Sequence, residues 1–375
     1  MSEKFVFENR EYQQRAIQQA INFFAAGKES VLIESPVGSG KTIMGLLVIK
    51  HLQELDPELK VNWVASRKHI LEQTDRLNRE FFHCNITPVS VFDNNPPKAG
   101  LVVLDEAHHE ATQSCLNMYE KTRNRLTLGL SATPLRTDKM RLSFQETVRT
   151  CNIQTLINQG VLAQYHSYKL PHWTVELAAK VYCQDPGKWG KTLVFFNTVA
   201  ECKIFAELLN SKHITCEVVS SHSKRDSQLD MFINGSLQVI ANVSVLSEGF
   251  DLPDLQSVFI RDGSRLPVIQ MAGRGLRKSP TKKVCNIVQS EQSVYQCERI
   301  AQPAESFKYV RDCWLACSDN TEAIIRTLAE SIELLDNRKE CRLPMFITQA
   351  PHKTLVALNS KHRRWYFPKR DNFRI

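Results

Sequence analysis

The segment Val31–Thr42 constrains the fold of this 375-residue chain more than any other. It reads Val-Leu-Ile-Glu-Ser-Pro-Val-Gly-Ser-Gly-Lys-Thr, which predicts a buried strand, a glycine-containing loop and a helix that opens with Lys41 and Thr42. A loop of this kind directs backbone N–H groups towards a phosphate and places the positive end of a helix dipole beneath it. The segment therefore predicts a nucleoside triphosphate site.

The loop follows the P-loop pattern G-x-x-x-x-G-K-[ST], with Ser35 at the position of the first glycine. Lys41 is placed to reach the β- and γ-phosphates, and Thr42 to bind Mg²⁺. The predicted nucleotide-binding residues of this loop are Ser35, Pro36, Val37, Gly38, Ser39, Gly40, Lys41 and Thr42.

A second acidic motif follows the apolar run Leu101–Leu104. Four apolar residues predict a core strand of a parallel sheet, and ligand-binding residues of such sheets gather at the carboxyl ends of the strands. Asp105 is therefore predicted to bind the Mg²⁺, directly or through water. Glu106 is predicted to orient and deprotonate the attacking water. Lys41 and Asp105 are 64 positions apart, which leaves room for intervening βα units.

Length and composition indicate a soluble chain of two domains with an extension. Hydrophobic residues make up 42% and charged residues 23%, and no apolar run approaches the roughly 18 residues of a membrane span. The first residues lack the apolar core of a signal peptide. The eleven cysteines are interpreted as free thiols, because they are odd in number and scattered through core-like strands. Cys313 and Cys317 could be part of a metal site, but no second tight pair accompanies them. We expect a cytoplasmic or nucleoid-associated protein that is not secreted and has no membrane partner.

The net charge of +8 is concentrated at the carboxyl end. Residues 351–375 contain seven lysines and arginines and a single acidic residue, together with Trp365, Tyr366 and Phe367. Such a segment combines attraction to phosphates with possible base stacking, although a solvated final strand with packed aromatics gives the same pattern.

Strands and helices alternate twice along the chain, which predicts an α/β fold with two parallel sheets wrapped by helices. The predicted division is an ATP-binding domain at 1–150, a connector at 151–168, a second domain at 169–295 and a carboxyl-terminal extension at 296–375.

Eight segments between Arg10 and Arg277 resemble the motifs of the superfamily 2 helicases, in the family's order. They are Arg10-Glu11-Tyr12-Gln13, Ser35–Thr42 (motif I), Ala65-Ser66-Arg67 (Ia), Asp105-Glu106-Ala107-His108 (II), Ser131-Ala132-Thr133 (III), Val194–Asn197 (IV), Val245–Asp251 (V) and Gln270–Arg277 (VI). The resemblance implies two tandem RecA-like domains with a short carboxyl-terminal extension, and ATP and Mg²⁺ as cofactors.

The resemblance also implies residue roles. Arg10 and Gln13 would recognise the nucleotide, with Gln13 reading the base, and Gly249, Asp251 and Gln270 would contact it from the second domain. Arg67, Ser131 and Thr133 would bind nucleic acid. Arg274 and Arg277, three residues apart on one predicted helix, face the same cleft and would reach the γ-phosphate when the domains close.

The residues of motifs V and VI are more similar to those of the branch that contains DNA-repair translocases and restriction-enzyme motor subunits. DNA is therefore favoured over RNA as the partner. An RNA helicase stays open as an alternative. So does an ATP-gated nucleic-acid-binding module that does not unwind, for example in a defence or restriction complex.

Overall fold

The computed structural model describes residues 10–317 except for short gaps at 111, 134–139, 221–222, 224, 244–245, 247–251, 253 and 280–281. Within these residues, no helix is both long and apolar enough to cross a membrane. Two sheets and the helices around them account for most of the described chain.

The first sheet contains six strands, all parallel, in the order β3-β2-β4-β5-β1-β6. The strands are β1 (Ser30–Glu34), β2 (Val61–Ala65), β3 (Ile86–Ser90), β4 (Leu101–Asp105), β5 (Leu126–Ser131) and β6 (Glu146–Arg149). Every residue of β2 and β4 is buried, as expected for central strands covered by helices on both faces.

Helices cover both faces of this sheet. They are α1 (Glu11–Ala25), α2 (Lys41–Leu55), α3 (Lys68–Leu77), a π-helical turn (Asn78–Phe82), a 3₁₀ turn (Ala107–His109) and α4 (Gln113–Thr122). The apolar side of α1, with Ala16, Ala20 and Phe24, packs into the same core as the buried strand residues Val31 and Ile33.

The second sheet contains eight strands in the order β14-β13-β7-β12-β11-β8-β10-β9, and only the β13–β14 pair is antiparallel among its pairings. The strands are β7 (Gln164–Leu170), β8 (Thr192–Phe195), β9 (Cys216–Val219), β10 (Val239–Asn242), β11 (Ser257–Ile260), β12 (Val284–Ser290), β13 (Glu305–Val310) and β14 (Cys313–Ala316). The accompanying helices are α5 (Ile153–Asn158), α6 (Val175–Gln184), α7 (Pro186–Trp189), α8 (Val199–Asn210), α9 (Arg225–Ile233), α10 (Arg265–Gly275) and a 3₁₀ turn (Cys297–Arg299).

Two predicted segments differ from the structure. The expected connector at 151–168 contains α5 and then runs into β7, which pairs with both β12 and β13, so its last residues are part of the second sheet. The described part of the expected extension at 296–375 contains the 3₁₀ turn Cys297–Arg299 and then β13 and β14, which continue the same sheet. The rest of that extension, including the basic segment 351–375, lies outside the described residues.

An aromatic cluster joins the β13–β14 hairpin to the second sheet. The rings of Tyr168 and Phe307 stack with centroids 4.7 Å apart, and Trp314 meets Tyr168 edge-on at 4.9 Å. The Lys188 ammonium lies 4.3 Å from the Tyr168 ring centroid, and burial lowers the pKa of this lysine to about 8. The hairpin is therefore packed into the core of the second sheet through large aromatic surfaces.

The two sheets meet at the edge where the first sheet presents its functional loops. The P-loop follows β1, the acidic motif ends β4, and Ser131 ends β5, so all three lie at the carboxyl edge of neighbouring parallel strands. Tyr12 and Val37 from the first unit belong to the same buried cluster as Met271 and Leu276 of the second. The P-loop is thus packed directly against α10.

Candidate nucleotide site between the two sheets

The P-loop has the backbone geometry of a phosphate cradle. Gly38 and Gly40 have φ angles of +79° and +85°, a region that L side chains rarely adopt. Helix α2 starts immediately afterwards at Lys41, with Gly40 as its left-handed N-cap. The Lys41 ammonium lies 3.4 Å from the carbonyl oxygen of Ser35 and 3.5 Å from that of Pro36, so it is folded over the loop. The helix N-terminus, the lysine and the nearby Thr42 fit a triphosphate with Mg²⁺.

Ser35 replaces the first consensus glycine without distorting the loop. Its hydroxyl group donates to Ser39 Oγ at 2.6 Å and lies 2.8 Å from Thr150 Oγ1, and its side chain is fully buried. Its backbone N–H donates to the carbonyl of Ser131 at 2.9 Å. Ser35 therefore ties the P-loop to the end of β5 on one side and to the residue after β6 on the other.

The first turn of α1 supports the far side of the loop. Tyr12 Oη and Gln13 Nε2 both donate to the carbonyl oxygen of Ser39, at 2.8 and 2.9 Å. Gln13 Oε1 accepts from the backbone N–H of Arg10 at 3.1 Å, while the Arg10 side chain is exposed. The predicted base reader Gln13 is thus held against the P-loop, at the mouth of the predicted phosphate site.

The acidic motif is strained and buried. Asp105 is 8% exposed, and its Oδ1 accepts from the backbone N–H of Glu106 at 2.9 Å. Glu106 has φ +53° and ψ +53°, which is costly for a residue with a Cβ and is characteristic of functional sites. Its carboxylate lies 3.4 Å from Nδ1 of the buried His108.

Helix α10 brings the second sheet to this motif. Gln270 Nε2 lies 3.5 Å from His108 Nε2, which gives a continuous line of contacts from Glu106 through His108 to α10. Further along the helix, a Cβ placed on Gly273 would lie 3.0 Å from Val37 Cβ, so this glycine permits the helix to approach the P-loop closely. Arg274, the next residue, is 5% exposed. Arg277, expected on the same helix, lies beyond it, because α10 ends at Gly275 and Arg277 pairs with Leu162 in an antiparallel bridge.

The predicted nucleic-acid residues lie at the same carboxyl edge. Ser131 is fully buried at the end of β5, and its Oγ accepts from the backbone N–H of Thr133 at 3.2 Å. Arg67 is the N-cap residue of α3, directly after β2. Gly249 and Asp251, the predicted motif V residues, lie outside the described residues.

Sequence reasoning missed Arg225, which begins α9 in the second unit. Burial, together with the nearby positive charge of Arg67, lowers the pKa of Arg225 to about 10. Two arginines from different sheets thus interact across the cleft although they repel each other. The available signal was position: Arg225 follows β9, whose carboxyl end lies at the ligand-binding edge of the second sheet.

Comparison with known proteins agrees with this architecture. The family model for the res subunit of type III restriction enzymes matches residues 6–95, and the model for the helicase conserved C-terminal domain matches residues 174–279. Both halves of the chain are therefore similar to domains of superfamily 2 helicases.

Curated relatives carry helicase names. IRC3, named as an ATP-dependent helicase of Saccharomyces cerevisiae, is 25% identical over 74% of this chain and 51% of its own length. Helicase 22 of a Sulfolobus islandicus filamentous virus is 24% identical over 74% of this chain and 63% of its own. The chain therefore spans between about half and two thirds of the length of these relatives.

Solved structures confirm the predicted pair of RecA-like domains. Dbp5 of S. cerevisiae, bound to RNA and ADP BeF3, matches with a TM-score of 0.57 and 15% identity over 85% of this chain and 93% of its own. The type ISP restriction-modification enzyme LlaBIII, bound to DNA, matches with a TM-score of 0.56 and 17% identity over 79% of this chain and 29% of its own. At these identities the likeness establishes the fold.

The contact between Gln270 and His108 yields a prediction. Gln270→Leu keeps the approximate side-chain volume and the helix but removes the amide group that faces His108 of motif II. The polar contact between the two units is therefore lost. We expect the kcat for ATP to fall about tenfold while its KM changes less than about threefold. Steady-state ATPase kinetics measures both constants. Met271→Leu, a buried neighbour on α10, is the control, and an unchanged kcat in Gln270→Leu would contradict the role of this contact.

Proposed function

We propose that this chain is an ATP-dependent nucleic-acid helicase or translocase that acts on DNA. The observation that carries the proposal is the contact line from Glu106 through His108 to Gln270, because it joins the catalytic motif of one sheet to the arginine-bearing helix of the other. When residues from both sheets form one site, the geometry of that site depends on whether the cleft between the sheets is closed. A motor protein must couple this closure to ATP hydrolysis.

The residues of the cleft divide the chemistry between the two units. The P-loop amides and Lys41 would bind the phosphates, and Thr42 and Asp105 would hold the Mg²⁺ that neutralises their charge. Glu106 would take the proton of the attacking water. Arg274 and Arg277, supplied by the second unit, would stabilise the charge that develops on the γ-phosphate.

Nucleic acid would lie across the two carboxyl edges, where Arg67 and Arg225 face each other. Their mutual repulsion raises the energy of the unliganded cleft, and a backbone phosphate between them would relieve it. Contacts of this kind carry little sequence information, so binding should be weakly sequence-dependent and strongly salt-dependent.

DNA is proposed as the substrate because two findings agree. The residues of motifs V and VI resemble those of DNA-directed motors. In addition, residues 6–95 match a family model named for a restriction enzyme subunit. A structural neighbour of this chain, LlaBIII, was solved bound to DNA, whereas another, Dbp5, was solved bound to RNA. The experiment below therefore includes both nucleic acids.

ATP hydrolysis with different nucleic acids tests the proposal most directly. The wild type should hydrolyse ATP faster with single-stranded, duplex or branched DNA than with RNA or alone. Lys41→Ala should abolish turnover because the phosphates lose their ammonium partner. Glu106→Gln should also abolish it but still bind ATP, because only the proton acceptor is lost. Glu120→Gln, an exposed carboxylate on α4, is the matched control and should behave as the wild type.

Each other outcome has a definite meaning. Stimulation by RNA alone would make the chain an RNA helicase. Tight ATP-dependent binding without hydrolysis or stimulation would make it a binding module. Full turnover in Glu106→Gln would remove Glu106 from the mechanism.

The two facing arginines predict a change in the salt dependence of binding. Arg67→Ala or Arg225→Ala should each reduce the slope of log K against log salt for duplex DNA by about 0.9, because one phosphate contact is lost. Fluorescence anisotropy at several salt concentrations measures this slope. Arg125→Ala is the matched control, since Arg125 is exposed and precedes β5 at the opposite edge of the sheet. An unchanged slope in both test variants would contradict the proposed path.

A further inference from the structure

Leu162 connects the P-loop to the second unit. A Cβ placed on Gly38 would lie 2.8 Å from Leu162 Cδ2, which is closer than real Cβ contacts. The leucine side chain therefore packs on the bare backbone of the P-loop, and it is only 3% exposed. No helicase motif contains Leu162, and sequence reasoning placed it in a connector.

The backbone of Leu162 is joined to the end of motif VI. Leu162 forms an antiparallel bridge with Arg277, and the N–H of Ala163 donates to the carbonyl of Leu276 at 2.8 Å. A displacement of the main chain at Leu162 is therefore transmitted to the residue predicted to stabilise the γ-phosphate.

Leu162 is also fixed within the second unit. Its N–H and that of Val161 both donate to the carbonyl of Leu156 at the end of α5, at 3.2 and 2.9 Å. The Lys278 ammonium donates to the carbonyl of Gly160 at 3.1 Å, and the chain continues from Leu162 into β7. These hydrogen bonds therefore hold the turn to α5, to Lys278 and to the start of β7.

A second contact lies close by. Val37, the residue before Gly38, packs against Gly273 of α10. The tip of the P-loop is thus enclosed by Leu162 on one side and by α10 on the other. Because close-packed interfaces switch between discrete arrangements instead of deforming smoothly, a change in the loop requires a change in its neighbours.

We propose that Leu162 is a positioning residue that couples occupancy of the P-loop to the placement of Arg277. This inference rests on the proposed function, because the ligand expected in the P-loop is a nucleoside triphosphate. Phosphates bound by the loop amides would shift Gly38 against Leu162, and the backbone bridge would carry the shift to Arg277.

Hydrogen exchange of residues 270–279 with and without a non-hydrolysable ATP analogue tests this coupling. The full chain is compared as wild type, Leu162→Ala, Leu162→Met and Ile157→Ala. Leu162→Met keeps the volume of the side chain, and Ile157→Ala removes a comparable amount of buried surface from the same cluster. Calorimetry of each variant with the analogue gives the binding constant separately.

In the wild type and Leu162→Met, the analogue should slow exchange in 270–279 about tenfold. Leu162→Ala should bind the analogue within about threefold of the wild type but show less than about a twofold change in exchange. Ile157→Ala should keep the full change, because a general loss of core packing leaves the loop contact intact. If Leu162→Ala fails to fold, Leu162→Val, shorter by one methylene, should show a partial loss.

The outcomes separate this inference from the proposed function. A full change in exchange in both Leu162→Ala and Leu162→Val would overturn the role of Leu162 and leave the proposed function standing. So would a wild type that binds the analogue without any change in 270–279. A wild type that binds no nucleotide would overturn the proposed function itself.

Discussion

Close packing of the P-loop against helix α10 is the constraint on which the rest of the site depends. Gly273 lets the helix approach Val37, and Gly38 presents bare backbone to Leu162. A Cβ at Gly273 would require Val37 to move by a few tenths of an ångström, and the φ of +79° at Gly38 disfavours any L side chain. The same helix brings Gln270 to within 3.5 Å of His108 in the acidic motif.

Burial of polar and charged side chains in this cleft lowers the stability of the folded chain. Asp105, His108 and Arg274 are each less than 9% exposed, and charged groups lose solvation when they are buried at a domain interface. The strained αL backbone at Glu106 adds to this cost. Burial and backbone strain of this kind are common in active sites, where geometry is retained for chemistry at the expense of stability. A bound magnesium nucleotide would supply the opposite charges that this cleft is arranged to receive.

Local sequence patterns predicted the parts of the fold that are themselves local. The apolar run Leu101–Leu104 forms β4, which extends one residue further to Asp105, and the P-loop joins β1 to a helix that begins at Lys41 as expected. The edge strands β3 and β6 escaped notice because their side chains are half exposed and lack an apolar run; Pro88 is tolerated at an edge. The proximity of Arg67 to Arg225, and of Gly38 to Leu162, arises from packing between distant segments, so no local pattern could predict either one.

The central claim is that nucleotide and nucleic acid bind to the same closed arrangement of the two sheets. Reciprocal affinity tests it most directly, with Glu106→Gln used to prevent hydrolysis. The dissociation constant for magnesium ATP is measured with and without saturating DNA, and that for DNA with and without saturating ATP. The account predicts that each ligand strengthens the other by the same factor, about tenfold. Tight binding of both ligands with no mutual effect would contradict it.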